Sequence, residues 1–571
     1  MVGVFVKTTV RRRGDKTYTY LSLVEAVRVD GRVTHRTLLR LGEVSELRDS
    51  GQLDRIIGAL QAHADGTWFQ ASELAADGAP GFGAMAVIHS VFVGLGLGEH
   101  YSRVGARRRS IRLEDTVYVM VANRLVSPWS KRRTIIEWLD GDVALPVGVT
   151  APSLDQCYRA IDTIAATIAG TETHLYARLT SLINLDLRLC CYDLTSTYFE
   201  TTTTDADRFP SKRFGYSRDH RSDRPQVMIG LLVTGDGIPI AHHVFPGNTN
   251  DSTTLPAVLA DLQDRFGVGR IALVADRGLI SEANLGEVAA AGFDHVLATR
   301  LHRDSDVAAV LEQAARDDTV WVTAGRDRTA CEIVHDGRRH VVVDSAPRRR
   351  RDDRRREEFL TRTEDQLIAL AQRVDASRLA DPAKIGAAAE RILAKSPVRR
   401  CFTTHITHGV FHWDYDRTAV DYEQRLLAGR YVLTTSLTPA KASTVEVVSH
   451  YHSLANVEHR FRVMKDFLGL RPVYHWTEQR VRGHIAVCVL AAVIEAVITN
   501  NLAAADIRDP DRPEQTITAR RALTELNRIR VHHLTAGDRD VSVITRRNSL
   551  QTAICTALAV NTTTWDNATI H

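Results

Sequence analysis

The chain has 571 residues, of which 44% are hydrophobic and 25% are charged. This composition indicates a globular protein of several domains and excludes a collagen-like, coiled-coil or largely disordered chain. The net charge of +4 is too small to identify a partner. Basic residues are nevertheless concentrated in segments 1–45, 101–133 and 208–224, which suggests a polyanion contacted at several points. The alternative is that acidic residues balance these segments in the folded protein.

No segment of the sequence predicts membrane insertion or secretion. The longest apolar run, 485–494, is too short to span a bilayer and predicts a buried helix. The first residues lack the apolar stretch of a secretory signal. Seven cysteines without a CxxC pair are typical of reduced thiols rather than of a zinc site. We therefore expect a cytoplasmic protein.

The N-terminal third predicts strands followed by helices. Residues 3–40 alternate in polarity and are rich in β-branched side chains, with Asp30-Gly31 as a hairpin signal. From about residue 46, apolar positions recur every three or four residues, which predicts helices. We expect an N-terminal β-hairpin segment, 1–45, and a helical region, 46–182.

The pattern then changes to that of an α/β sheet. The pattern first predicts three strands, at 187–199, 226–234 and 238–245. It then predicts a helix at 251–266, a wholly apolar strand at 271–275, a second helix at 281–291 and a further strand at 295–299. This order is compatible with an RNase H-like core.

The second half of the chain interrupts this core and then returns to it. The interruption contains β-like stretches and one charged helical stretch, so we expect a mostly β insertion. A strand at 429–436 and helices at about 444–468 and 484–504 mark the return, and the tail after about 541 looks irregular. The expected parts are the first part of the core, the insertion, the second part of the core and a C-terminal helical region with the tail: 183–300, 301–428, 429–505 and 506–571.

Two aspartates of the core are candidates for chemistry. Asp193 lies within the first core strand among apolar neighbours, where a carboxylate is costly unless it is paired or binds a cation. Asp276 directly follows the apolar strand, at the end where α/β sheets bind ligands. A strand-end cap and a turn residue without function are the alternative interpretations.

A third acid, Glu458, lies in the predicted helix 444–468. Tyr451 and Lys465 are each seven residues from it, so the three side chains share one helix face. Arg462 lies four residues beyond Glu458 on that face, and a simple surface ion pair between these two is the alternative. Phosphoryl transfer on nucleic acid uses two divalent cations, for which two or three carboxylates suffice.

Several stretches resemble the DDE transposases of bacterial insertion sequences, in the insertion sequence four superfamily. That superfamily carries Tyr-x2-Arg-x3-Glu-x6-Lys around its catalytic Glu. Tyr451, Glu458 and Lys465 fit this spacing, with Leu454 in place of the Arg. The stretches YDLTSTYFE, GYSRDHRSDRPQ, GIPIAHHVFPGNTND and VEHRFRVMKDFLGLRPVYHW resemble the 1634 branch of the superfamily. The resemblance extends from about residue 5 to about 505.

The resemblance implies an RNase H-like catalytic core with a mostly β insertion and a helical DNA-binding region, here 46–182. It also implies two Mg²⁺ ions, for which Mn²⁺ substitutes, double-stranded DNA as partner and a homodimer in the synaptic complex. Asp193 would bridge both ions, and Asp276 and Glu458 would each complete the coordination of one.

The resemblance also implies that Tyr451 and Lys465 contact DNA phosphates. We hypothesise that Arg462 supplies the charge that Leu454 does not. Four cations between the first two core strands are further candidates to line the DNA path, with an ordinary surface loop as the alternative: Lys212, Arg213, Arg218 and Arg221.

The expected function is that of a transposase of the bacterial cytoplasm and nucleoid. It would bind terminal inverted repeats, hydrolyse the phosphodiester at the element ends and transfer the 3′-hydroxyl ends to target DNA, with no small-molecule substrate. Three alternatives remain: a nuclease or resolvase without strand transfer, a DNA-binding protein without catalysis, and a metal-independent phosphodiesterase that uses His242 or His243.

Overall fold

The computed structural model describes most of the chain, in these ranges: residues 3–29, 32–63, 74–106, 112–183, 189–205, 207–267, 271–275, 279, 282–299, 305–536, 539–563, 565 and 569–570. The predicted hairpin turn at Asp30-Gly31 and the candidate Asp276 lie outside the described residues. The chain divides into an N-terminal unit, formed by 1–78 with 532–543 and 568–571, and a main unit, formed by 79–531 and 544–567.

The described residues contain twenty strands. The strands are β1 (Val4–Arg13), β2 (Lys16–Val29), β3 (Arg32–Glu43), β4 (Leu74–Gly78), β5 (Leu189–Tyr198), β6 (Gln226–Thr234), β7 (Pro239–Pro246), β8 (Ala272–Ala275), β9 (Asp294–Ala298), β10 (Val322–Thr323), β11 (Arg328–His335), β12 (Arg338–Ser345), β13 (Phe402–Thr407), β14 (Val410–Tyr415), β15 (Arg430–Thr435), β16 (Arg508–Asp509), β17 (Arg512–Thr516), β18 (Val531–Ala536), β19 (Arg539–Ile544) and β20 (Thr569–Ile570).

The α-helices are α1 (Val44–Asp49), α2 (Gln52–Gln61), α3 (Gly83–Gly94), α4 (Leu97–Gly105), α5 (Leu113–Val126), α6 (Lys131–Arg133), α7 (Leu154–Ile183), α8 (Leu255–Ala260), α9 (Glu282–Ala290), α10 (Ser305–Ala314), α11 (Ala346–Asp375), α12 (Pro382–Leu393), α13 (Arg417–Tyr422), α14 (Thr444–His452), α15 (Leu454–Arg462), α16 (Glu478–Ala504), α17 (Ala519–Leu526) and α18 (Ser549–Ala557).

The N-terminal unit is built on the strands predicted for residues 3–40. β1, β2 and β3 form an antiparallel sheet in that order, and α1 and α2 follow it. Leu47 of α1 is buried and approaches Gly42 of β3, where a Cβ atom would meet it at 3.3 Å. A second sheet of this unit has the order β20-β19-β18-β4.

One large mixed sheet organises the main unit. Its strand order is β10-β11-β12-β15-β9-β8-β5-β6-β7. β5, β6 and β7 are antiparallel neighbours, whereas β8 runs parallel to β5 and β9 runs parallel to β8. The strands β15, β12, β11 and β10 then extend the sheet with antiparallel pairing. The sheet has buried apolar strands such as β6 and β8 because helices cover both of its faces.

Register and contacts show which helices cover which face. Asp193, Leu231 and His242 are opposite one another across β5, β6 and β7, and His242 contacts Glu172 of α7. Side chains at opposed positions point to the same face, so Asp193 points to the face on which α7 packs. α16 packs on α7, and α15 is joined to α16 by an ion pair, so both belong to this layer. Leu273 and Ala275 of β8 point to the other face, which α8 and α9 cover.

The predicted mostly β character of 301–428 is wrong. Its described residues contain the helices α10 to α13, and β10, β11 and β12 belong to the large sheet rather than to a separate β domain. α11, α12 and the hairpin of β13 and β14 form a smaller core of their own, with Leu367, Ile385 and Phe402 buried. α12 has a weak apolar pattern because its apolar residues are mostly alanines, although Asp381 caps it by accepting a hydrogen bond from Ala383 N–H at 2.9 Å.

The C-terminal part also differs from the prediction of a helical region with an irregular tail. Residues 506–571 contain five strands among the described residues, and α18 lies where the tail was expected to be irregular. Asn548 and Gln551 form a capping box at the start of α18, a signal that a short helix can carry without a clear apolar period.

The apolar run 485–494 forms part of α16, which is long and apolar enough to cross a membrane. Its apolar window is 94% buried inside the protein, so this helix is a core helix. The backbones of α16 and α7 are in close contact, because a Cβ atom on Gly483 would lie 2.4 Å from the carbonyl oxygen of Ile161.

Candidate active site

Asp193 lies in the middle of β5, an interior strand of the large sheet. Its neighbours Tyr192 and Leu194 are buried, whereas Asp193 is half-buried. Its Oδ1 accepts a hydrogen bond from the backbone N–H of Leu194 at 2.7 Å. The strand therefore presents a carboxylate oxygen on a face that is only partly covered.

The strand β8 lies beside β5 in parallel register. Ala275, the last residue of β8, is opposite Tyr192, the residue that precedes Asp193. Asp276 follows Ala275 in the chain and is outside the described residues. The sheet thus brings the described end of the second candidate strand next to the first candidate acid.

Glu458 lies on α15, which packs across β5 and β6. Leu454, Val457 and Phe461 are the buried side of this helix, and Glu458 is exposed. Asn456 anchors α15 to the turn between β6 and β7 by donating a hydrogen bond to the carbonyl oxygen of Gly235 at 2.6 Å. The apolar side of α15 fixes the helix on the strand that carries Asp193, and the polar side carries Glu458.

The helix predicted at 444–468 is not one continuous α-helix. α14 ends at His452, α15 begins at Leu454, and a π-helical turn, Val463–Phe467, follows α15. A π-helical turn holds more residues than the 3.6 of an α-helix, so the seven-residue spacing no longer guarantees a common face for Tyr451, Glu458 and Lys465.

Tyr451 is half-buried on α14 and packs against the sheet. Its ring centroid lies 5.8 Å from that of Tyr431 on β15. The hydroxyl of Tyr431 is 3.1 Å from Nε2 of His452. Tyr451 therefore belongs to an aromatic cluster at the start of the helix that carries the candidate acid.

Lys465 lies in the π-helical turn and is paired with an acid that the sequence analysis did not single out. Its Nζ donates to Oδ1 of Asp219 at 2.7 Å, and Arg471 donates to the same oxygen. The side chain of Asp219 is 3% exposed and that of Lys465 is 10% exposed. Burial lowers the pKa of Lys465, and the nearby Asp219 carboxylate opposes this effect. Asp219 lies in the stretch GYSRDHRSDRPQ, in which only the cations were considered.

Arg462 and Leu454 have opposite environments on α15. Leu454 is buried in the main core, so the position of the family's Arg is apolar and covered here. Arg462 is exposed on the side of the helix that carries Glu458. Among the seven predicted DNA-contacting residues, Arg462 alone is exposed, and the other six are partly or fully buried.

The four predicted cations between β5 and β6 make contacts within the protein. Lys212 is 8% exposed and donates to Oγ1 of Thr201 at 2.8 Å. Arg213 donates from its guanidinium to the backbone oxygen of Lys212 at 3.2 Å. Arg218 is 2.6 Å from Asp251.

Arg221, the fourth of these cations, is 2.9 Å from Asp223 and lies over the ring of Tyr198 at 5.0 Å. The positive charge counted for segment 208–224 is therefore largely paired with acids or buried.

Part of the basic segment 101–133 is also structural. Arg124 and Lys131 are buried, and Arg124 donates to the backbone oxygens of Leu468 and Gly469 at 3.5 and 3.4 Å. These oxygens directly follow the π-helical turn, where a cation satisfies carbonyl groups that have no helical partner. The charge of this segment is thus not simply a DNA footprint.

Lys131 continues this arrangement. Its Nζ is 3.3 Å from Nδ1 of His484, and Nε2 of the same ring is 3.2 Å from the carbonyl oxygen of Leu470. Burial holds the pKa of His484 well below its usual range, so the ring is neutral. Nδ1 then accepts from Lys131 and Nε2–H donates to Leu470, which fixes the chain after the π-helical turn.

The histidines considered for metal-independent chemistry have structural partners. His242 is buried, with its Nδ1 2.7 Å from the Glu172 carboxylate, which also receives Arg265 at 2.8 Å. His243 points to the other face and is 3.1 Å from Asp261. These contacts leave neither histidine as an accessible nucleophile.

The donor set at this site suits a hard divalent cation. Asp193 and Glu458 offer carboxylate oxygens, and one is half-buried while the other is exposed to solvent. Oxygen ligands that leave room for water are typical of such ions, whereas structural zinc sites use cysteine and histidine. The chemistry of these two carboxylates therefore suits a hard divalent metal ion.

Two family models match this chain. The IS1634 family transposase, N-terminal domain, matches residues 6–73, and the Transposase DDE domain matches residues 186–494, which is more than half of the chain. None of the curated proteins matches this chain. The DDE match includes Asp193, Asp276 and Glu458 and extends into α16. The chain therefore belongs to the DDE transposases of the IS1634 family, which are DNA-binding, metal-dependent enzymes that cleave and transfer DNA.

Proposed function

We propose that this transposase binds the terminal inverted repeats of its insertion sequence, cleaves the ends with two Mg²⁺ ions and transfers the 3′-hydroxyl ends to target DNA. The observation that carries the proposal is the packing of α15, with Glu458, across β5, with Asp193. The proposed ligands are these two acids and Asp276, and Mn²⁺ is expected to substitute for Mg²⁺.

We further propose that β5 to β9 are an RNase H-like core. The support is the strand order β7-β6-β5-β8-β9, with three antiparallel strands followed by two parallel ones. In sheets of this kind ligands bind beyond the carboxyl ends of parallel strands, which is where the chain continues from β8 into Asp276.

We propose that different residues of this site bind the metal ions and the DNA phosphates. Asp193 is the proposed shared ligand because it lies on an interior strand whose neighbours on both sides are fixed by backbone pairing. Two divalent ions, when bound, activate the attacking oxygen and stabilise the leaving oxygen of an in-line displacement. Exposed Arg462 is placed to hold a flanking phosphate, since it shares the solvent side of α15 with Glu458.

Lys465 and Tyr451 have less direct proposed roles. Lys465 is held by Asp219, so it contacts DNA only if a phosphate approaches the Lys465–Asp219–Arg471 cluster. Tyr451 is proposed to contact a phosphate at the start of the helix. Four cations are proposed to lie beside the DNA path, where their contacts within the protein orient them: Lys212, Arg213, Arg218 and Arg221.

The test compares neutral isosteres of the two described acids with a surface control. Asp193→Asn and Glu458→Gln are expected to reduce end cleavage by at least about 10³-fold, because the charge that holds the ions is lost. Glu137→Gln, at an exposed ion pair with Arg133, is the matched control and should cleave normally. The substrate is a duplex that carries the element end, taken from the DNA flanking the gene.

Metal dependence and strand transfer complete this test. Binding is expected to persist in Ca²⁺ while cleavage requires Mg²⁺ or Mn²⁺, and equal cleavage in EDTA would refute the proposal. Joining of pre-cut ends into plasmid DNA separates a transposase from a nuclease without strand transfer. We also propose a homodimer in the synaptic complex and a location in the bacterial cytoplasm at the nucleoid.

A further inference from the structure

The N-terminal sheet has two faces of different chemistry. Within each strand alternate side chains point to opposite faces, and opposed residues of neighbouring strands share a face. The register Arg11↔Tyr18, Arg13↔Lys16 and Lys7↔Ser22 therefore assigns the cations of β1 and β2 to one face. All residues of this sheet belong to the N-terminal unit.

One face, which we call the basic face, carries six cations. They are Lys7, Arg11, Arg13, Lys16, Arg28 and Arg40. All six are exposed. The contacts of His35 support the assignment, because it is 3.3 Å from Nζ of Lys7 and its ring centroid is 5.2 Å from that of Phe5.

The aromatic rings of the sheet lie on the basic face as well. The register assigns Phe5, Tyr18 and Tyr20 to it, and Phe5 and Tyr20 are exposed. The described acid nearest to this face, Glu43, uses its carboxylate to accept from the backbone N–H of Glu46 at the start of α1. One acid against six cations leaves most of the positive charge of this face without a counter-charge on its own strands.

The opposite face carries an apolar row and fewer cations than the basic face. Val6, Leu23 and Leu39 form a row across the three strands on this side. Its cation Arg36 is paired with Glu25 at 2.5 Å. Arg12 also points to this side, although it lies between Arg11 and Arg13 in the sequence.

We propose that the basic face of the N-terminal sheet binds double-stranded DNA through its phosphates. This inference rests on the proposed function and adds a binding surface, distinct from the helical region 46–182, to it. Charge complementarity favours DNA over an apolar partner, because six exposed cations lie on one face of the sheet while the apolar row lies on the other.

The dimensions of the basic face agree with a duplex. Three strands about 4.8 Å apart give a backbone about 10 Å wide, compared with a major groove about 12 Å wide. Lys7 and Arg13 are six residues apart, which is about 20 Å along a strand and corresponds to about six base pairs of 3.4 Å rise. The face therefore spans several phosphates rather than a single anion.

The experiment uses the alternation of the three arginines in β1. Full-length protein binds a mixed-sequence DNA duplex in Ca²⁺, and the dissociation constant is measured from about 50 to 200 mM salt. Arg11→Ala/Arg13→Ala is expected to reduce the slope of log Kd against log salt by about 1.8, at about 0.9 for each lost phosphate contact. Arg12→Ala, on the opposite face, should leave the slope unchanged.

The same mechanism predicts how the loss of affinity depends on salt. The ratio of variant to wild-type Kd should shrink about tenfold as salt rises from about 50 to 200 mM. Arg40→Ala on β3 tests the face independently of β1 and should reduce the slope by about 0.9. Thermal unfolding of each variant checks that the sheet is intact.

Three outcomes would overturn the inference. They are equal slopes for all proteins, the same loss for Arg12→Ala as for its neighbours, or a preference for duplex RNA over duplex DNA. The result is independent of catalysis because no cleavage is measured. The surface control Glu137→Gln should bind with the wild-type slope, and failure of the metal mechanism, which is measured by cleavage, remains distinguishable from failure of this surface.

Discussion

The partners of a charged side chain at this site determine whether it is available to bind DNA or is held within the protein. Lys465 and Arg471 both donate to Asp219, so two cations near the end of the Glu458 segment share one buried acid. Arg460, two residues from Glu458, is 4% exposed and paired with buried Glu495 of α16. Neither Asp219 nor Glu495 stands out in the sequence, because each pairs with a cation that is distant in the chain.

At this scale the clearest prediction concerns Arg462. Arg462→Ala is expected to slow end cleavage and strand transfer by at least about tenfold, since a hydrogen bond to a charged group contributes about 1.5–3 kcal/mol. Arg462→Lys retains the charge and should restore most of the activity. If Arg462→Ala transfers pre-cut ends at the wild-type rate, this residue does not replace the arginine that is absent at Leu454.

At the scale of elements, the helices of the site are positioned by close backbone packing. Gly483 of α16 allows the carbonyl of Ile161 on α7 to approach, and α15 is fixed against β5 by its apolar side and against α16 by an ion pair. The position of the Glu458 helix therefore depends on a layer of helices, not on the strand alone.

The matched glycines of this layer provide a prediction about stability. Gly483→Ala forces a Cβ atom to within 2.4 Å of the Ile161 carbonyl oxygen and should lower the free energy of unfolding by several kcal/mol. Gly170→Ala on α7 meets nothing within 4 Å and should raise it by about 0.5–1 kcal/mol. Urea unfolding measures both, and a neutral Gly483→Ala would mean that α7 and α16 separate easily.

At the scale of the whole molecule, buried cations connect α5 and α6 to the end of the helical segment that carries Glu458. Arg124 and Lys131, from α5 and α6, hold the chain that follows the π-helical turn through backbone oxygens and His484. Burial, with the Arg124 charge as the next cause, lowers the pKa of Lys131 to about 7. Burial also lowers the pKa of the neighbouring His475 to about 3, so this ring is neutral near pH 7.

This cluster predicts how stability depends on pH. An unfolded lysine has a pKa of about 10.4, so between about pH 7 and pH 10 the unfolded state binds more protons than the folded state. The free energy of unfolding should therefore rise with pH in this window, by up to about 1.4 kcal/mol per pH unit. Lys131→Met removes the titration and should flatten the rise, measured by urea unfolding at several pH values. Identical slopes for both proteins would contradict a depressed pKa of Lys131.

Local patterns in the sequence were sufficient for the elements that carry the site. Alternation and apolar runs predicted β1 to β3, β5 to β9 and β15, and helical spacing predicted α7 and α16. Asp193 and Glu458 could be selected because a carboxylate in an apolar strand or within a motif of fixed spacing is visible in the chain itself. Arg11 and Arg13 were visible as charges, but their common face follows only from the register of β1 with β2.

Side-chain type and local periodicity identify, from residue order alone, the candidate residues for chemistry and the strands and helices of the expected core. The tertiary structure decided which charges are available. Arg124, Lys131, Lys212 and Lys465 look alike in the chain, yet burial and distant partners make them structural or paired groups. The physical reason is that desolvation and pairing depend on what folding brings close, which residue order does not encode locally.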